Sequence, residues 1–140
     1  MLALVAYSAL LLVVLLSPSS GAQSAGVSWA ADLATGLGVS PELLTPTRAE
    51  FLCNAAILMP VSALGSIVWP RTTWREWTAY GFLGAGLVEL IQGLLLPGRD
   101  ASYVDVVANT LGAMGGAVVV TLLSRRRTAG GTPPSSPAGR

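Results

Sequence analysis

Four long apolar runs decide what this chain can fold into. They are Met1 to Leu16, Phe51 to Trp69, Trp77 to Leu96 and Tyr103 to Leu123, with more polar stretches between them. As helices rising 1.5 Å per residue, the last three reach roughly 28 to 31 Å, which matches a ~30 Å hydrocarbon core. A soluble bundle needs a polar face on every helix, and Gly81 to Val88 or Leu111 to Leu123 offer none. Composition agrees: only 11% of residues are charged, against about 25% in a typical soluble domain. The expected fold is all-α, an integral membrane four-helix bundle with short loops and a disordered C-terminal tail.

The first run is the shortest, about 22 Å as a helix, and has two readings. One is a signal peptide cut near the small residues Ser19-Ser20-Gly21-Ala22; the other is an uncleaved transmembrane helix over residues 1–17. The second is preferred because no Lys or Arg precedes the apolar run. Residues 18–50 then form an external loop. In it Trp29, Leu33 and Leu37 recur at i, i+4, i+8, which suits either a short helix on the membrane surface or a plain loop. Residues 51–124 make a three-helix core, which Thr47-Arg48-Ala49-Glu50 would open as a capping box. Residues 125–140 end in Gly, Pro, Ser and Thr without apolar periodicity, the pattern of a disordered tail.

Arginine placement sets an expected orientation. Arg71 and Arg75 lie between the second and third spans, and Arg125, Arg126 and Arg127 follow the fourth. By the positive-inside rule these segments face the cytoplasm, with both termini inside. Trp69, Trp74, Trp77 and Tyr80 would then gather at the cytoplasmic interface, where amphipathic rings are favoured.

Several chemistries are excluded. The formal net charge is +1, so no basic surface awaits nucleic acid. There is no His, and the single Cys53 forms neither an internal disulfide nor a thiolate metal site. Neither a metal nor a cofactor is expected.

The informative residues are the polar ones inside the spans: Asn54, Glu89, Gln92, Asp105 and Asn109. A carboxylate at the centre of a membrane helix costs about 2.5 to 3.5 kcal/mol on insertion scales, so it must face protein or water, or be protonated. Glu89 and Gln92 are i, i+3, with Gly86 and Gly93 on the same side. Asp105, Asn109, Gly112 and Gly116 form one stripe. The expected orientation puts all of them in the outer half of the membrane. There Arg48, Glu50 and Arg99 can join Asn54, Glu89, Gln92, Asp105 and Asn109 around one outward-opening pocket. Each has a plainer alternative. Glu50 can simply cap its helix, Asn54 and Asn109 can be interhelical glue, and Arg99 can sit in water beside Asp100. Gly112 and Gly116 suit close helix contact, either inside the bundle or in a homodimer.

Those residues carry a family resemblance. Glu89-Leu-Ile-Gln92, then Leu-Pro-Gly-Arg99, then Ser102-Tyr-Val-Asp105-Val-Val-Ala-Asn109-Thr-Leu-Gly112 resembles the signature of VanZ-like membrane proteins. Asn54-Ala-Ala-Ile-Leu-Met-Pro60 is similar to that family's Asn-to-Pro motif. The resemblance covers roughly residues 48–120. Leu58 departs from it where the family usually has Phe, and Ser62 where it usually has Gly. It implies a small multi-pass protein of the bacterial cytoplasmic membrane, in a family whose name-giving member is associated with resistance to the glycopeptide teicoplanin. By position it lends weight to Arg48, Asn54, Glu89, Gln92, Arg99, Asp105 and Asn109, and less to Glu50.

Two functional classes are weighed, with a transporter or a structural subunit of a larger complex left open as a third. The favoured one is a non-enzymatic protein that binds a polar, lipid-linked or glycopeptide ligand in the outward pocket. In it Arg48 and Arg99 would face an anion, and Glu89 and Asp105 an amine. The alternative is an intramembrane enzyme acting on a lipid headgroup or lipid-linked wall precursor, with Glu89 as acid or base.

Overall fold

The computed structural model describes residues 1–16, 21–96 and 101–129. The described residues form helices and their connections. They are α1 (Leu2–Leu15), α2 (Gly21–Gly36), a single 3-10 turn at Pro41–Leu43, α3 (Pro46–Val68), α4 (Trp74–Leu95) and α5 (Tyr103–Ala129). Three of these, α3, α4 and α5, are long and apolar enough to cross a membrane, and α1 is a shorter apolar helix. The fold is the expected all-helical one. The Ser19-Ser20 part of the suggested cleavage site, Arg99 with Asp100, and the tail from 130 to 140 lie outside the described residues.

Hydroxyl groups open the three long helices. Thr45 caps α3, its Oγ1 accepting the Arg48 N–H at 3.4 Å, with Pro46 in the first turn where a missing N–H costs nothing. The expected capping box at Thr47 is therefore not the start of this helix; the cap lies two residues earlier. A complete capping box opens α4. The Thr73 N–H donates to Glu76 Oε2 at 2.7 Å, and the Glu76 N–H donates to Thr73 Oγ1 at 3.4 Å. Ser102 Oγ accepts the Asp105 N–H at 3.3 Å at the start of α5. The far end of α5 runs past the apolar stretch to Ala129. Arg125, Arg126 and Arg127 are thus helical, and their positive charge suits the negative end of the helix dipole. The segment between α1 and α3 holds more helix than the Trp29 to Leu37 pattern suggested: α2 has 16 residues, and Trp29 and Leu33 on it are exposed.

The interior is made of small residues and the surface of large apolar ones. Ala85, Ala108, Ala113 and Ala117 are buried, together with Gly65, Gly81, Gly112 and Gly116. Leu83, Leu87, Leu94 and Leu95 on α4 and Leu122 and Leu123 on α5 point outward. In water this arrangement would be inside out. In a bilayer the apolar surface costs nothing, and helices associate by letting backbones approach closely.

Helices α3 and α5 form the central pair. A Cβ on Gly112 would collide with the Ala55 carbonyl, and one on Gly116 with the Met59 carbonyl and Ser62 Oγ. The glycine stripe is thus occupied by internal packing against α3. Helix α4 packs chiefly on α5, where Gly81 admits Ala113. Gly81, Ala85, Glu89 and Gln92 form the buried face of α4, while Gly86, expected on that side, faces open space. Helix α1 rests on α3 and α2. At the α3–α4 connection Trp69, Trp77 and Tyr80 form the expected cluster, with ring centroids 6.3 and 5.8 Å apart. Trp74 instead pairs with Arg75, whose guanidinium carbon is 5.4 Å from its ring centroid. The Trp77 ring lies over Gly65, so it belongs to the interior more than to the interface.

Candidate functional site

The antiparallel course of α3, α4 and α5 brings the start of α3, the end of α4 and the start of α5 to one end of the bundle. The polar residues of the spans sit there for a common reason. Each would be costly against hydrocarbon, so the helices rotate until their small and polar faces meet. Glu89 is 7% exposed and Gln92 4%; Asn54 and Asp105 are half-buried.

Three hydrogen bonds tie this end together. The Asn54 amide donates to Asp105 Oδ1 at 2.7 Å, linking α3 to α5. An ionised carboxylate only accepts, so the Asn54 nitrogen must be the donor. The Ser102 N–H donates to Glu89 Oε2 at 2.7 Å, linking α4 to the segment entering α5. The Gln92 amide donates to the Leu15 carbonyl at 2.7 Å, linking α4 to the last turn of α1. That carbonyl has no partner within its own helix, so Gln92 also satisfies a helix end.

Ser102 is the hub. Its N–H holds the Glu89 carboxylate and its hydroxyl accepts the Asp105 backbone N–H, so one residue connects the positions of both acids. Sequence reasoning did not include Ser102 among the site residues. The available signal was Ser102-Tyr-Val-Asp105, a hydroxyl three residues before an acid at the start of an apolar run. Tyr7 was also missed; its hydroxyl donates to the Ile57 carbonyl at 2.8 Å and fastens α1 to α3. That contact lies beside the turn where Pro60 supplies no N–H to the Ala56 carbonyl.

The rest of the expected set is spread out. Arg48 and Glu50 are exposed, and Arg48 donates to the Leu43 carbonyl at 3.4 Å. Along α3, Arg48 stands about 9 Å beyond Asn54, at the rim. Arg99 lies outside the described residues. Asn109 is 8% exposed and turns away from the hydrogen-bonded cluster, into a cavity between α1 and α4. Leu58 and Ser62, the two departures from the family motif, line that same cavity. Among the described residues no group of three or more His, Cys, Asp or Glu side chains could hold a metal ion.

A hydrogen-bonded polar cluster at one end of an apolar helical bundle defines a multi-pass helical membrane protein. A profile of the VanZ/LLP1 family matches residues 4–124, and the chain belongs to that family. The match reaches further than the motif-bearing residues 48–120 and takes in α1 and α2. No curated protein and no solved structure matches the chain.

Proposed function

We propose that this protein is a non-enzymatic binding protein of the bacterial cytoplasmic membrane. In this reading its polar end faces outward, both termini lie in the cytoplasm, and the ligand is lipid-linked or a glycopeptide of the teicoplanin type. The observation that carries the reading is that Ser102 bonds both the Glu89 carboxylate, through its N–H, and the Asp105 N–H, through its hydroxyl, at the end of the bundle where Asn54 holds the Asp105 carboxylate and Gln92 holds the end of α1. Two carboxyl groups at a membrane face suit an amine or a hydroxyl-rich head. Arg48 at the rim, with Arg99, would meet an anionic portion. Such binding links the protein to envelope function and to glycopeptide resistance. Glu89→Gln and Arg99→Ala are expected to abolish resistance conferred by the wild-type chain while membrane levels stay normal. Wild-type resistance from both variants at equal expression refutes this reading.

One observation favours a second reading. The fold places a hydroxyl residue, Ser102, beside Glu89, a pairing that no span supplies by sequence spacing alone. Glu89 could then act as acid or base on a lipid headgroup or lipid-linked wall precursor. In the described structure the Ser102 hydroxyl serves as a helix cap, which is why binding ranks first. Turnover of a labelled lipid precursor by purified protein, lost in Glu89→Gln, would reverse that order.

A further inference from the structure

Beneath the hydrogen-bonded end lies a half-enclosed cavity of about 320 Å³, between α1 and α4, with α3 and α5 behind it. Along α4 its lining runs from Trp77 to Val88, about 16 Å. Leu12 of α1 and Tyr80, Gly84 and Leu87 of α4 line it and are exposed, so the mouth opens on the bundle's bilayer-facing side. The walls are almost wholly hydrocarbon. The polar groups on them are the Ser8, Ser62 and Tyr80 hydroxyls, the buried Trp77 indole N–H, and Asn109, a residue that is 8% exposed and makes no hydrogen bond to the described residues. An amide left so in an apolar site is costly unless an occupant supplies the missing bond.

Asn109 stands about 6 Å deeper than Asp105 along α5, at the cavity end nearer Glu89. Helix register puts it opposite Ala85, because Gly81 meets Ala113 one turn further on. About 12 Å of apolar slot then extends from Ala85 to Trp77. We propose that this slot holds the hydrocarbon tail of a membrane amphiphile, with Asn109 donating to the carbonyl oxygen where the tail joins its polar part. The cavity is continuous with the lipid-facing surface, so a tail enters sideways without leaving hydrocarbon. A head in line with that tail would lie at Glu89, Ser102 and Asp105; for the head alone the inference rests on the binding reading above.

The test uses the full chain in detergent micelles with two probes, methyl dibromostearate and dibromo-octadecane. Bromine quenches tryptophan on contact, and Trp77 lines the slot. The expected result is a saturable component of quenching that Trp77→Phe removes. Gly84 lines the cavity and a Cβ there meets nothing within 4 Å, so Gly84→Leu fills the slot without touching the backbone. It should weaken the saturable component at least tenfold. Gly86 has the same free space but does not line the slot, so Gly86→Leu should bind as wild type. The ester should bind roughly tenfold more tightly than the alkane, as one hydrogen bond warrants, and Asn109→Leu should erase that difference. Quenching that never saturates, or equal behaviour of Gly84→Leu and Gly86→Leu, overturns the slot. Equal binding of ester and alkane overturns the role of Asn109. Neither probe carries a group for Glu89 or Asp105, so failure here leaves the susceptibility test of the polar end to be judged separately.

Discussion

Gly112→Ala and Gly86→Ala are the same substitution in two neighbouring helices, and the structure gives them opposite signs. A methyl at Gly112 would overlap the Ala55 carbonyl oxygen and stand 3.0 Å from the Ala55 Cα. The obstacle is backbone, which cannot swing aside, so α3 and α5 must separate along their closest contact. Overpacking of this kind costs about 1 to 3 kcal/mol. Alanine returns about 0.5 to 1 kcal/mol through its better helix propensity. The net expectation is a loss of up to about 2.5 kcal/mol. At Gly86 a Cβ meets nothing within 4 Å, so only the propensity gain remains. Gly86→Ala should be more stable than wild type by about 0.5 to 1 kcal/mol. Gly115→Ala falls between them, because its Cβ meets only the Met59 methyl at 3.3 Å, the end of a flexible side chain. Unfolding in detergent micelles, followed by far-ultraviolet circular dichroism, ranks the variants. A Gly112→Ala protein as stable as wild type would refute the close α3–α5 contact, and a Gly86→Ala protein less stable than wild type would refute the open space beside α4.

Three more expectations rest on the hydrogen-bonded end. A double-mutant cycle of Asn54→Leu and Asp105→Leu should give a coupling of about 0.6 to 1.7 kcal/mol, from the average to the maximum measured for interhelical bonds in membranes, and zero coupling would remove the bond. Gln92→Leu leaves the Leu15 carbonyl without its partner, so amide exchange in the last turn of α1 should quicken roughly three- to tenfold; unchanged protection would show that Gln92 does not hold α1. Reporter fusions after Arg127 should lie in the cytoplasm and fusions in the α4–α5 connection outside, and the reverse pattern would place the polar end on the wrong face for an external ligand.

Much of the fold was legible because the bilayer acts on each helix separately. The apolar runs at Phe51, Trp77 and Tyr103 each became a long helix, with α3 starting earlier, at Pro46, α4 earlier, at Trp74, and α5 at Tyr103 itself. The shifts have a local cause: Thr45 and Thr73 captured the caps, and the apolar pattern does not register capping hydroxyls. The inward stripe of Asp105, Gly112 and Gly116 was equally legible, since spacing alone places residues on one helical face. At one end of the bundle Asn54 bonds Asp105, Glu89 bonds Ser102 and Gln92 bonds the end of α1. Arg48 and Glu50 stay at the rim, where their charge is hydrated.

What the chain determined by itself is therefore a helical membrane protein whose polar side chains turn inward, because hydrocarbon penalises each of them wherever its helix stands. What only the tertiary structure decided is who meets whom. Gln92 finds the end of α1, Ser102 comes to lie between two acids, and Asn109 is left facing a cavity. Those pairings depend on how far each helix slides and turns against its neighbours. The offset is set by backbone contacts at Gly81, Gly112 and Gly116, between residues far apart in the chain, and no local pattern contains it.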